Sequence, residues 1–368
     1  MSTSTARYAS LQNRAVLITG GASGIGAHYV REFAAQGARV TFLDIDAKAA
    51  AALTAEVPQA RFIACDVTDI AALRAAIAAR PKAADLAEMR RGIDARGLAN
   101  KLADDVTVEP ATAAGVKAEW TSTPNAAANR AILYFHGGGF VIGSLDSHRH
   151  AVAEMGRAAA SRVLALEYRM APEHPFPAPV EDAVAGYRYL LAQGYAPSHI
   201  ALAGDSAGGG LVVSALLAIR DAGLPQPSCG WCISPWIDME ATGGSITSKS
   251  GEDPSVQKAG LEFMAKTYLG GADPKNPLAS PLHADFTGLA PLLIQVGAAE
   301  TLLDDSTRLA ALAGAAHVAV TLEVWPEMIH VWHVMHPVLA AGRRAIVNGG
   351  AFVRATMDGA TPVSPRVP

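Results

Sequence analysis

The chain has 368 residues, half of them hydrophobic and 17% charged, with a formal net charge of −4. That composition excludes intrinsic disorder, and a weak negative charge without a basic run excludes nucleic acid as a partner. No apolar run reaches the roughly 18 residues of a membrane span, and the start lacks the charged-then-apolar pattern of a secretory leader, so a cytoplasmic protein without a membrane partner is expected.

Residues 14–20 form a short apolar run that reads as a buried strand, followed by Gly21-Ala-Ser-Gly24-Ile-Gly26 and a helical stretch through Ala35. Glycines there permit a tight turn and let backbone amides approach a pyrophosphate at a helix N-terminus. A second strand over 39–44 ends in Asp44, about 20 residues after the glycines, where a carboxylate can hold a ribose hydroxyl. A third, over 60–66, ends in Asp66.

This segment resembles the short-chain dehydrogenase/reductase family in Thr19-Gly20-x-x-x-Gly24-Ile25-Gly26 and in Cys65-Asp66-Val67. The resemblance implies that Gly20, Gly24, Gly26, Asp44 and Asp66 bind NAD(P), with Asp44 favouring NAD. It stops near residue 78, after about half of that fold. The family's Tyr with Lys four residues later is missing from all eight tyrosines, which argues against hydride transfer. Two readings stay open, an NAD(H)-binding module and a half-fold kept for packing or assembly. The lost strands leave an edge beside Val16 to Thr19 that invites pairing. Its cover is expected from the rest of the chain or from a second subunit, and a homodimer is the expected assembly.

Ala79-Arg-Pro-Lys82 breaks the pattern, and residues 83–104 resume a helical rhythm through Leu86, Met89, Ile93, Leu98 and Leu102. This amphipathic element is expected to lie over the later site. The strand over 130–135 delivers His136-Gly137-Gly138-Gly139-Phe140. Consecutive glycines after a buried strand leave N–H groups free to face a developing oxyanion, so Gly138 and Gly139 are the expected donors together with Ala207. His136 is expected to brace the loop. The Pro-rich stretch 172–179 is read as structural.

The strand from Ile200 runs into Gly204-Asp205-Ser206-Ala207-Gly208, a G-x-S-x-G elbow whose small residues let strand and helix approach closely around Ser206, the expected nucleophile. A helix over 209–220 follows and lends its N-terminal dipole to the site. Cys229-Gly-Trp-Cys232 matches C-x-x-C spacing, but it lies in an apolar strand-like run in which residues three apart face opposite sides. A buried core is expected there rather than a redox pair, and no metal site is expected.

Residues 241–290 are polar and Gly/Pro-rich around a helix expected over 254–269, a pocket wall joined by Phe140, Trp236, Trp332 and the 83–104 helix. An acid and then a histidine must follow the serine in chain order. After the strand over 291–297 come Glu300, Asp304 and Asp305. Glu300 at the strand end is the expected acid and Asp304 the alternative. Asp304 and Asp305 read more simply as cap and dipole partners of the next helix. The last strand, over 318–325, leads to His330, the expected general base, with His333 expected to pack or line the pocket.

Together, His136 to Phe140, Tyr168-Arg-Met-Ala-Pro-Glu-His-Pro-Phe-Pro177 and Gly204 to Gly208 resemble the bacterial hormone-sensitive-lipase-like carboxylesterases over about residues 82–358. The resemblance implies an α/β-hydrolase fold with an N-terminal helical cap and a preference for short to medium acyl esters. The family's acid pattern is Asp-x-Leu-x-Asp with the first Asp catalytic, the place that Glu300 takes, and His330 matches the family's histidine.

The expected architecture is α/β: a truncated Rossmann-like segment (1–80), a cap-helix region (81–105) and an α/β-hydrolase domain (106–368). The expected activity is hydrolysis of small-molecule esters by Ser206, His330 and Glu300, with no cofactor required. An NAD(H)-regulated hydrolase or sensor, and lactone or amide hydrolysis on the same triad, are the alternatives.

Overall fold

The computed structural model describes residues 11–64 and 85–360, and the chain divides into two compact units, Met1–Arg80 and Pro81–Pro368. In the first, β1 (Ala15–Thr19), α1 (Gly24–Ala35), β2 (Arg39–Asp44), α2 (Ala47–Glu56) and β3 (Arg61–Ala64) alternate around a parallel sheet of order β1-β2-β3. Val30, Val40, Phe42, Ala50 and Leu53 form its core. Gly26 is demanded by packing, since a Cβ there would lie 1.9 Å from the carbonyl oxygen of Gly20. Among the described residues β1 pairs with β2 alone. Asp66 and Cys65 lie outside the described residues.

The second unit is built on an eight-stranded sheet of order β11-β10-β9-β8-β6-β7-β5-β4. The strands are β4 (Thr107–Ala113), β5 (Val116–Ser122), β6 (Ala127–Phe135), β7 (Ser161–Leu166), β8 (Ile200–Asp205), β9 (Cys229–Ile233), β10 (Leu292–Gly297) and β11 (Val320–Trp325). β4, β5 and β7 pair antiparallel in turn, and every other pairing is parallel. Parallel strands covered on both faces need continuous apolar sequence, which β8 supplies with all six residues buried.

The alternation of side chains assigns each strand's residues to two cores. Leu133, Phe135, Ile200, Leu202, Cys232 and Ile294 join one; Ile132, Tyr134, Ala201, Ala203, Cys229 and Trp231 join the other. The two thiols thus sit on opposite faces, as their spacing requires. Burial raises both, Cys229 to about 11. Each fully buried large apolar side chain contributes roughly 1.5–3 kcal/mol, so these two layers fix the strand ends from which the site loops leave.

Two local expectations need correction. The helix of the 83–104 region, α3, spans Leu86–Leu98, but Leu98 is 61% exposed. Its close approach to the helix Leu145–Ala159 is made by Gly97, where a Cβ would lie 2.4 Å from Ser147 Cα, and that contact turns Leu98 to solvent. The helix expected from residue 254 begins at Lys258, because the Asp253 carboxylate accepts the N–H groups of Ser255 and Val256 and closes a turn there. Among the described residues no helix is long and apolar enough to cross a membrane.

Candidate active site

At the C-terminal end of β8 the chain turns through Ser206 at φ 55, ψ −120, a conformation that costs on the order of 1–3 kcal/mol for a residue with a Cβ. The backbone over-determines it. Ser206 N–H donates to Ile233 O at 2.8 Å, and Ser206 O accepts from Gly210 N–H and Trp236 N–H, both at 3.0 Å. The flanking glycines are required by contact, since a Cβ on Gly204 would lie 2.4 Å from Gly208 O and one on Gly208 2.0 Å from Phe135 O. From Ile200 to Leu217 every residue except Ser206 is buried. The helix Ala207–Asp221 starts at once, and the Ser206 hydroxyl makes no cap bond to it.

The glycine loop after β6 is locked to this turn through the residue before the serine. Asp205 Oδ1 accepts Gly137 N–H at 2.9 Å and Tyr134 O–H at 2.5 Å, and Asp205 Oδ2 lies 3.4 Å from His148 Nε2. Burial alone would raise this carboxyl; the charge and hydrogen bond of His148, with the Tyr134 bond, outweigh it and hold the group below the usual range. Gly138 and Gly139 follow at φ 118 and 63, and among the described residues no acceptor meets their N–H groups. Gly138 O instead accepts Val141 N–H and Ile142 N–H.

His136 braces the loop as expected. Its Nδ1 donates to Gly137 O at 2.8 Å, its ring stacks on Tyr168 at 4.3 Å, and Tyr168 O–H donates to His136 O at 2.7 Å. Burial, then the neighbouring His148, pushes its pKa down to about 4. From the α3 side, Arg90 donates to Val141 O at 2.8 Å and to Ala171 O at 2.9 Å, fixing the loop's far end.

Glu300 and His330 meet across the ends of β10 and β11. Glu300 Oε2 accepts His330 Nδ1 at 2.6 Å, while Glu300 Oε1 accepts Gly297 N–H at 2.8 Å and Ser234 O–H at 3.0 Å. The Glu300 side chain is fully buried and that of His330 is 9% exposed. Burial alone would lower the imidazole pKa, but the Glu300 hydrogen bond and charge, with added field from Asp253 and Asp205, raise it above the ordinary value. The two loops are also joined through backbone, Ala298 N–H to Trp325 O and Ala299 N–H to Met328 O.

The alternative acid is placed elsewhere. Asp304 Oδ2 accepts Ser245 N–H at 3.0 Å, and Asp305 Oδ2 accepts Ile237 N–H at 2.9 Å; both lie in the first turn of the helix Leu303–Ala315. His333 is buried against Trp332 and bonds Gln295 Oε1 through Nε2 at 3.0 Å, and burial lowers it to about 3. Of the aromatic pocket candidates, Trp332 belongs to a small core with Ala341 and Ala345. Phe140 and Trp236 are 2% and 1% exposed, with Phe140 stacked on Tyr268 at 3.9 Å. All three are core rather than cleft, whereas Met264 lies against Gly139, its sulfur 2.0 Å from where a Cβ would stand.

Asp305 and Asp238 share Arg308, at 3.3 and 2.9 Å. Burial raises Asp305 to about 7, the Ile237 N–H and Arg308 offsetting part of it. Because this pKa lies above the unfolded value, the folded state holds a proton that the unfolded chain releases between pH 3.8 and about 7, and stability falls as pH rises through that window. Arg308→Met removes the partner of both carboxylates. It is expected to destabilise by about 2–3 kcal/mol near pH 8, below the fully buried range because Arg308 is partly exposed, and by clearly less near pH 5. Urea denaturation at the two pH values checks this; an equal loss at both would contradict it.

In the first unit, Asp44 Oδ2 accepts Ala22 N–H at 2.8 Å and Oδ1 accepts Asp46 N–H at 2.9 Å, while Gly21 N–H donates to Leu43 O. Gly20 and Gly24 take φ 64 and 52. Asp44 and the Gly21 N–H are thus engaged within the segment itself.

A central parallel sheet with a strained serine turn after its middle strand, and an acid and a histidine on later strand ends, defines an α/β hydrolase. The chain belongs to the alpha/beta hydrolase fold family, whose model matches residues 132–334, and it is a carboxylic ester hydrolase of the bacterial hormone-sensitive-lipase type. It is 53% identical to an acetyl-hydrolase of Streptomyces hygroscopicus over 70% of this chain and 84% of that protein. It is 32% identical to an esterase of Acinetobacter venetianus over 67% and 82%. Among solved structures, an esterase of the bacterial hormone-sensitive lipase family superposes with TM-score 0.77 at 50% identity, covering 80% of this chain and all of that one. EstE5, soaked with p-nitrophenyl butyrate, does so with TM-score 0.76 at 49% identity, covering 78% and 98%. A short chain dehydrogenase model matches residues 14–85.

Sequence reasoning missed Ser234, Asp253 and the anchoring role of Asp205. Asp205 was visible as the variable residue of the elbow. Ser234 and Asp253 carry no periodic or motif signal.

Proposed function

We propose that the chain is a serine carboxylesterase acting on short to medium acyl esters. Ser206 Oγ attacks the ester carbonyl while His330 Nε2 takes its proton; Glu300 holds the Nδ1–H tautomer and the positive charge that forms. The N–H groups of Gly138, Gly139 and Ala207 stabilise the tetrahedral oxyanion. His330 then protonates the departing alcohol, and a water activated by the same imidazole hydrolyses the acyl-enzyme. The observation that carries this reading is the buried 2.6 Å bond from His330 Nδ1 to Glu300 Oε2, which leaves Nε2 as the only basic nitrogen of that ring. The EstE5 relative soaked with p-nitrophenyl butyrate supports that ester as a substrate to try.

The test is hydrolysis of p-nitrophenyl acetate, butyrate, octanoate and palmitate, with and without NAD+, together with labelling by phenylmethylsulfonyl fluoride read by peptide mass. Turnover favouring butyrate or octanoate over palmitate, indifference to NAD+, and the sulfonyl group on the Ser206 peptide are expected. A label elsewhere, or hydrolysis that needs NAD+, would overturn the proposal.

A further inference from the structure

We infer that Ser234 is a positioning residue of the triad and that its hydroxyl is matched to a glutamate rather than an aspartate at position 300; this rests on the esterase reading above. Ser234 follows β9, is fully buried, and takes the left-handed φ of 44. Its N–H is fixed to Gln295 O at 2.7 Å on the neighbouring β10. Its hydroxyl contacts both of the loops that carry the acid and the base. It accepts Val331 N–H at 3.2 Å, one residue after the histidine, and meets Glu300 Oε1 at 3.0 Å.

The direction of that second bond is fixed by chemistry. A hydroxyl has one proton, Val331 N–H is a donor, and a carboxylate only accepts, so Ser234 O–H donates to Glu300. With Gly297 N–H also on Oε1 at 2.8 Å, one carboxylate oxygen holds two donors. The other is left to His330 Nδ1 at 2.6 Å. The carboxylate is thereby prevented from rotating, and the same hydroxyl sets its distance from the histidine loop. An aspartate hung from the same backbone position would end about 1.5 Å short. At contacts of 2.6 and 3.0 Å, it could not keep both His330 and Ser234.

A left-handed serine between a buried strand and a proline is not needed by the sheet. Glycine would adopt φ 44 without strain. That gives a clean experiment, with p-nitrophenyl butyrate kinetics and thermal unfolding on Ser234→Ala, Ser234→Gly, Glu300→Gln and the double variants. The expected result is a fall in kcat of about 10- to 100-fold for both Ser234 variants, the range of a hydrogen bond to a charged group, with KM within about twofold. Ser234→Gly relieves the strain at φ 44 but leaves the buried Val331 N–H unpaired, so its midpoint should shift by only a few degrees, and rates are read well below the midpoints of all variants, where unfolding contributes nothing. Adding Glu300→Gln to either Ser234 variant should cost clearly less than it costs the wild type, because the two act through one carboxylate. A Ser234→Gly enzyme with wild-type kcat, or a double variant whose losses simply multiply, would overturn the inference while leaving the triad intact. Undiminished activity in Ser206→Ala would instead remove Ser206 as the nucleophile, and with it the triad on which the inference rests.

Discussion

Ser206→Ala is expected to lower kcat/KM for p-nitrophenyl butyrate by about 10⁴-fold or more, without changing the fold. Two features make the variant a clean one. The bonds that hold the turn, to Ile233, Gly210 and Trp236, all run through the backbone of residue 206. The hydroxyl makes no cap bond to the following helix, so its removal leaves the helix start intact. The thermal midpoint should therefore stay within a degree or two of wild type, as for a surface-like substitution of about 0.5 kcal/mol or less. Ser206→Gly should be equally inactive yet more stable, since glycine accepts φ 55 without the penalty a Cβ carries. Residual hydrolysis by either variant should come from the oxyanion donors acting on bound ester, and it should resist phenylmethylsulfonyl fluoride. A rate within tenfold of wild type would mean that the chemistry sits elsewhere.

What was legible in the sequence follows from which interactions are local. Gly204 and Gly208 are visible because the backbone contacts they allow belong to one turn and its two neighbouring strands. Glu300 and His330 are visible because parallel strands deliver loops to one edge of the sheet in chain order. The residues that hold them are another matter. Ser234 contacts partners 66 and 97 positions away, and the Asp253 carboxylate reaches Thr301 N–H at 2.9 Å across 48. No periodicity encodes such pairings. The aromatic candidates show a related limit: Phe140 and Trp332 stand beside motif residues in sequence and Trp236 follows a strand, yet all three side chains are buried in the core. Leu98 fits a helical rhythm and is nevertheless exposed, because Gly97 beside it makes the closer helix contact. In the N-terminal unit the glycine pattern left both a cofactor and a packing role open, and the structure gives the packing contacts of these residues, Gly26 against Gly20 and Asp44 against Ala22.

Glu300→Gln should be nearly as damaging as loss of the serine, by about 10⁴-fold in kcat, and for a reason the surroundings dictate. Gly297 N–H and Ser234 O–H both point at one oxygen of residue 300. A glutamine must therefore turn its carbonyl oxygen toward them and its NH₂ toward His330. Facing a donor, His330 Nδ1 has to become the acceptor, and the ring proton moves to Nε2, the atom that must accept the proton of Ser206. The base is then blocked by its own tautomer. The pH dependence should change with it. In the wild type the raised His330 pKa places the acidic limb of kcat/KM above the ordinary 6.5, since activity needs the neutral ring. Without the Glu300 charge and hydrogen bond, burial dominates, and the limb of the residual activity should move below 6.5. The full pH profile of both enzymes, measured at substrate well below KM, checks the two effects together. A glutamine variant that keeps its rate and its acidic limb would place the working acid at another carboxylate, with Asp304 the next to replace.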